Sequence, residues 1–365
     1  MSLRLLSTLA LSTALAASAA NAQPEPHYAL ADFDKVAKID SHLHLHNAES
    51  GFIDAARRRN FKVLTINVDY PDFSTLDEQF RVAVALHTVF PTTVAFAGTF
   101  SSDGFDSPGW LERTERRIDV AMQAGAVGIK VWKNFGMSVR DSQGKLVMLD
   151  DPRLKPVFDY MEAKGITLLD HQGEPYNCWL PLDKMSVNND REYFQAHPQY
   201  HMFLHPEMPS WADQMAARDR MLDAHPKLRF VGMHMASLER NVDELAAFLD
   251  RYPAAVVDIA ARIGQIQDQS QRDREKVRRF FIRYQDRLLY GTDEAQEPTE
   301  SGADMARATE KAWREQWRYF ASDQTFKVDD LDKPVQGLAL PRGVIDKLYR
   351  LNAERAFPGA WGPAR

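Results

Sequence analysis

A chain of 365 residues with 44% hydrophobic side chains is long enough to bury one large core, and its single cysteine, Cys178, excludes an intramolecular disulfide as the source of stability. Lys and Arg number 45 against 51 Asp and Glu, a net charge of −6, and the two signs are interspersed with no basic tract. Nucleic-acid binding therefore has no electrostatic footprint, and the expected partner is a small-molecule substrate.

The chain opens with one basic residue, Arg4, and an apolar run from Leu5 to about Ala17 that closes on Ala20-Asn21-Ala22. That is the pattern of a secretory leader. Residues 1–22 are expected to be a signal peptide, residues 23–365 a single mature domain, and the destination extracytoplasmic, most simply the periplasm. No later segment approaches the roughly 20 apolar residues of a transmembrane helix, so no membrane association is expected after cleavage.

Eight strand-like runs follow: Ala37 to His42, Lys62 to Asp69, Thr93 to Phe100, Ala126 to Trp132, Ile166 to His171, Arg229 to His234, Ala254 to Ile259 and Arg287 to Thr292. Their near-continuous aliphatic character suits parallel strands buried on both faces. Helical stripes lie between most of them, such as Leu154, Val157, Phe158, Met161 and Leu238, Val242, Leu245, Phe248, Leu249. Alternation of this kind predicts an α/β fold, and eight units predict a (β/α)8 TIM barrel. The turn after the first strand, Leu43-His44-Leu45-His46, lacks the glycines of a phosphate-binding doubly wound sheet. Two long insertions are expected at the carboxyl rim, Gln172 to Ser210 after strand five and Glu294 to Pro341 after strand eight.

Five side chains able to ligate a metal sit near strand ends: His42, His44, His171, His234 and Asp293. The two imidazoles of His42-Leu43-His44 project to one face of a strand and can grip one cation. Alone, such a pair is weak evidence. Combined with His171 ending strand five, His234 ending strand six and Asp293 after strand eight, it describes one site, because a barrel delivers its strand ends to a single rim. The plainer alternatives are a satisfied rim histidine for His234 and a helix N-cap for Asp293.

In these five positions the chain resembles the amidohydrolase superfamily, and more closely its amidohydrolase-related branch, over nearly all of the mature sequence. The resemblance implies one divalent ion, usually zinc, held by His42, His44, His171 and Asp293, with His234 free for acid/base chemistry. Asp293 would be both ligand and general base to a metal-activated water, and His234 would polarise the carbonyl or protonate the leaving group. Lys130 allows a second version, since a carboxylated lysine on strand four bridges two ions in other members. One ion is the favoured count, with Lys130 then an ammonium for an anionic substrate. Manganese or iron would suit the same ligands.

Around this core Glu174, Arg262 and Trp179 are candidate substrate contacts, Arg262 through a bidentate fork to a carboxylate. Lys133, of opposite parity to Lys130, is expected to face a helix or solvent. Tyr176, Trp211, Trp313 and Trp317 either line a pocket or pack the insertions onto the barrel. The spacing of His197, His201 and His205 hints at a further metal site, against which Pro198 and Pro206 argue. The expected function is a metal-dependent hydrolase cleaving an amide, ester or lactone bond of a small organic substrate. A non-oxidative decarboxylase of an aromatic or related acid is the rival on the same fold, and an inactive binding or metal-scavenging barrel is the rival of another class. Homo-oligomerisation is compatible with the sequence but not specified by it.

Overall fold

The computed structural model describes residues 26–362; the expected leader, 1–22, lies outside the described residues. Nine parallel strands form one sheet: β1 (Lys38–His44), β2 (Phe61–Ile66), β3 (Val94–Thr99), β4 (Ile129–Val131), β5 (Thr167–Asp170), β6 (Arg229–Gly232), β7 (Val256–Asp258), β8 (Leu288–Leu289) and β9 (Glu294–Ala295). Neighbours run in chain order from β8 back to β1, and β9 adds to the free edge of β1. β8 and β9 are joined by only four residues, so this one segment pairs with β7 at its start and with β1 at its end. The backbone bonds Ser41 N–H to Tyr290 O (2.9 Å) and Asp293 N–H to His42 O (2.8 Å) join its middle to β1. The sheet thereby curls into a TIM barrel with parallel strands and right-sized crossovers.

The sequence pattern explains the layers. Ile39, Leu64, Ile66, Ala95, Ala97, Leu169, Val231, Met233 and Leu289 fill the barrel interior, and Phe357 and Trp361 of the carboxyl-terminal segment pack against them. Trp361 donates its indole N–H to Val63 O (3.0 Å), which satisfies both groups at the end of the barrel away from the strand tips. Residues of opposite parity, among them Leu43, Val63, Phe96, Leu168, Phe230 and Leu288, meet the outer helices. Among the described residues, no helix is long and apolar enough to cross a membrane.

The segment after β5 folds into short helical turns and a helix, Asn188–Ala196, around its own small core of Cys178, Met185, Phe194 and Met202. The segment after the eighth strand position differs from the expectation of a rim insertion. Its long helix, Gly302–Ala321, packs on the helix Ser50–Arg58 and against the barrel wall. Trp313 stacks on Phe61 with ring centroids 3.9 Å apart, and both Trp313 and Trp317 are fully buried. These two tryptophans are core residues, not pocket walls. Among the described residues, only the hairpin of β10 (Thr325–Phe326) and β11 (Val335–Gln336) adds further sheet.

Candidate metal centre and active site

Strand parity decides which side chains reach the site, and in three places the backbone departs from regularity to supply one. In β1, Ile39 faces the interior, so simple alternation would send His42 outward. A register shift between Asp40 and Leu43 adds one residue and turns both His42 and His44 inward, the effect of a β-bulge. In β6, Val231 and Met233 face inward, so His234 would face outward on a regular strand. Four successive left-handed residues, His234 to Ser237, carry it back over the rim. Asp293 also has positive φ (68°), and just before it Gly291 lets the chain pass His42: a Cβ there would lie 2.7 Å from that of His42. Left-handed backbone costs roughly 1–2 kcal/mol per non-glycine residue, and its concentration here marks a site for which the fold tolerates strain.

The strain is held by hydrogen bonds. Asp258 Oδ1 accepts the backbone N–H of His234 (2.5 Å), Ser237 Oγ donates to Gln172 O (2.5 Å), and Arg218 donates to Ala236 O. Asp40, buried, accepts Thr292 N–H (3.0 Å), the Thr292 hydroxyl (2.7 Å) and the Trp313 indole N–H (2.7 Å), fixing the approach to Asp293. Burial pushes the Asp40 carboxyl up to about 6 despite those donors.

At the centre, His42 Nε2 lies 3.0 Å and His44 Nε2 3.1 Å from the same oxygen, Asp293 Oδ1. The other nitrogen of each ring is committed: His42 Nδ1 is 2.7 Å from Asp258 Oδ2, and His44 Nδ1 is 2.8 Å from Ile66 O. An imidazole that donates from Nδ1 presents a lone pair at Nε2. Two ring nitrogens and a carboxylate oxygen therefore converge, and His171 Nε2 nearby is buried without a hydrogen-bond partner. A divalent cation complements this donor set, with Asp258 and the Ile66 carbonyl as the outer partners that orient metal-binding histidines. His42, His44 and Asp293 form one cluster of ligand atoms lying within 4.8 Å of one another.

His234 stands beside this cluster. Its Nδ1 is 2.9 Å from Ala260 O, and its Nε2 is 3.9 Å from Asp293 Oδ2. The His171 ring lies 4.1 Å from the His234 ring. Burial, reinforced by neighbouring positive groups, holds both imidazoles well below the ordinary value, so both are neutral near pH 7. Burial opposes charge on Asp293 too, but His42 beside it, with the bonds from His42 and His44, holds its carboxyl well below the usual range. Lys130 Nζ is buried without a hydrogen-bond partner, and burial lowers it to about 8 against the pull of Asp293, Asp258 and Asp170.

The remaining candidates are placed as follows. Glu174 is buried at the rim and paired with Lys133. Lys133 thus faces neither a helix nor solvent: β4 ends at Val131, and the chain bends at Lys133 so that strand parity no longer applies there. Arg262 is buried at 7% exposure, donates to Ala261 O (2.8 Å), and leaves Nε without a partner. Trp179 donates its indole N–H to Pro209 O (3.2 Å) and packs on the small core of the β5 insertion. Tyr176 and Trp211 meet edge to face with centroids 5.4 Å apart, and the Arg240 guanidinium lies 4.1 Å from the centre of each ring. His197, His201 and His205 bond separately to Tyr193 O, Leu180 O and Pro198 O and form no common site. Sequence reasoning gave Phe73 and Tyr70 no role, yet their rings continue from His44 toward Trp132 at centroid spacings of 5.3, 5.0 and 4.7 Å. They lie in a loop with no periodic signal.

Comparison with known proteins gives two results. A sequence profile of the family described as amidohydrolase matches residues 39–359. Among solved structures, the chain is similar to an amidohydrolase from Pseudomonas aeruginosa, 13% identical over 92% of this chain and 100% of that one, with a TM-score of 0.45. It is likewise similar to 4-oxalomesaconate hydratase from Rhodopseudomonas palustris, 12% identical over 88% and 96%, TM-score 0.44, and to ochratoxinase from A. niger, 13% identical over 88% and 71%, TM-score 0.43. No curated protein matches the chain.

Proposed function

The chain belongs to the amidohydrolase family and is an enzyme of the metal-dependent hydrolase type, and on that premise we propose that it cleaves an amide, ester or lactone bond of a small organic substrate. One ion, zinc by preference, would be held by His42, His44, Asp293 and His171. The observation that carries this reading is the meeting of two imidazole nitrogens on one carboxylate oxygen at about 3 Å. A divalent ion bound there supplies Lewis acidity to the carbonyl and makes water acidic near neutral pH.

The chain's own residues handle the proton. Asp293 stays ionised, and its Oδ2, turned toward His234, can accept a proton from the attacking water. His234, neutral and fixed through Nδ1, offers Nε2 on the same side and can pass that proton to the leaving group. Lys130 presents an ammonium without a protein partner, and Arg262 a half-free guanidinium; both suit an anionic substrate group. Export through the leader at 1–22 would place this hydrolysis in the periplasm.

The test is turnover of lactones, acyl amides and aromatic acids by protein of known metal content, before and after chelation. The reading expects hydrolysis that is lost with the metal and returns with it. Turnover unaffected by complete removal of metal contradicts it, and release of carbon dioxide without consumption of water selects decarboxylation instead.

A further inference from the structure

A cavity of about 290 Å³ opens at the carboxyl rim, walled by Tyr70, Trp132, Tyr193 and Tyr200, with Lys133 and Glu174 also lining it. Its position follows from the strand. Lys130 lies on β4, and Trp132 follows directly after the end of that strand, where its ring meets Tyr70 with centroids 4.7 Å apart. Glu174 follows His171 by three residues and closes the same corner from β5. The aromatic series from His44 through Phe73 and Tyr70 to Trp132 makes the wall continuous with the metal centre.

Resting on the reading of this rim as a hydrolytic site, we propose that the cavity is the specificity pocket and takes a flat aryl group that carries an acceptor oxygen. Three observations lead there. The walls are aromatic faces, and the rest of the lining includes Met137, Met202 and Met208, whose thioethers favour ring edges and adapt to ring shape. The volume sits at the lower end of ligand pockets, about 300 Å³ upward, and suits a compact ring system more than a long chain. Within this predominantly apolar lining Lys133 pairs with Glu174, both largely buried, while the more exposed His205 and Glu207 lie 3.4 Å apart at another part of the wall. A desolvated pair is costly unless its remaining hydrogen-bonding capacity is used. The Lys133 ammonium has three donors, of which Glu174 takes one, and it also lies 5.3 Å from the centre of the Trp132 ring. A carboxylate, carbonyl or ether oxygen on a ring laid against Trp132 meets the unused donors.

The test uses metal-loaded protein and two probe acids, 2-naphthoate and octanoate, titrated by calorimetry, with Trp132→Leu, Tyr70→Leu and Lys133→Met as variants whose folding is checked by circular dichroism. The pocket predicts that the parent binds 2-naphthoate on the order of tenfold more tightly than octanoate, since a ring contact adds about 0.5–1.5 kcal/mol beyond its area. Trp132→Leu or Tyr70→Leu should erase most of that preference while changing octanoate binding less than about threefold. Lys133→Met should weaken both acids. Equal affinity for the two probes in the parent, or a preference that survives in a folded Trp132→Leu protein, overturns the proposal. Hydrolysis is scored separately: selective binding without turnover of any ester, lactone or amide leaves the pocket standing and removes the hydrolytic reading, and turnover without aryl preference does the reverse.

Discussion

The two ends of the barrel carry buried basic side chains under opposite conditions. At the start of β1, Lys38 donates to the carbonyls of Phe33 and Val36 and lies over the rings of Phe33, Phe61 and Trp317 at 4.6, 4.7 and 5.7 Å. Its charge is enclosed by acceptors and aromatic faces. At the other end, Lys130 Nζ on β4 and His171 Nε2 after β5, strands that do not adjoin β1, are equally buried and lack partners. Buried polar groups normally find partners, and a fold that satisfies one end of a barrel and leaves the other open is holding the second for something outside the chain. The lesson is that burial alone does not mark a site. Burial with convergent, unpartnered groups and left-handed backbone does.

The largest expected effect falls at the open end. Asp293→Asn should lower kcat/KM on the order of a thousandfold, because an amide cannot accept the proton, while the melting temperature changes little, since asparagine tolerates the left-handed backbone at this position. Steady-state kinetics and a thermal melt check both halves; activity within a few fold of the parent rejects Asp293 as base. Asp258→Asn should come next. It loosens the hold on His42 Nδ1 and on the His234 backbone, and metal affinity should fall about 10–100-fold when the metal-free protein is titrated.

Paired substitutions of the two lysines sharpen the contrast. Lys38→Met should destabilise the fold by about 1–3 kcal/mol in urea by stranding two carbonyls, with turnover unchanged. Lys130→Met should leave stability equal or higher and reduce turnover, because no protein partner is lost. Metal analysis of Lys130→Ala adds the ion count: one ion retained supports a single-metal site, and a fall from two contradicts it. Lys38 also carries a pH dependence. Burial lowers Lys38 to about 7 from the ordinary lysine value of 10.5, so between those values the unfolded chain binds the proton more tightly than the folded one. Stability from this residue should rise with pH from about 7 to about 10 and be flat below 7. Urea midpoints across that range, with Lys38→Met as the flat reference, read it directly; a parent curve parallel to the variant's excludes the linkage.

The barrel was legible because strands buried on both faces must be aliphatic throughout, and runs such as Lys62 to Asp69 have no other reading. The set of His42, His44, His171, His234 and Asp293 was legible because these residue types at strand ends have few structural uses. What composition could not convey was non-local. The bulge in β1 that turns His42 inward is a property of its pairing with β2, and the left-handed turn at His234 involves no glycine. Trp313 reads as a pocket aromatic until the helix Gly302–Ala321 is seen packed behind Asp40 and Phe61. The rim pocket draws on loops distant in sequence, from Tyr70 to Tyr200, that share no pattern.

The central claim is tested most directly by locating the ion itself. Crystals of zinc-loaded protein, examined by anomalous scattering at the zinc edge, should show one ion per chain within about 2.0–2.2 Å of His42 Nε2, His44 Nε2 and an Asp293 oxygen. An ion bound elsewhere, or none at that position in protein that is fully active, would contradict the account.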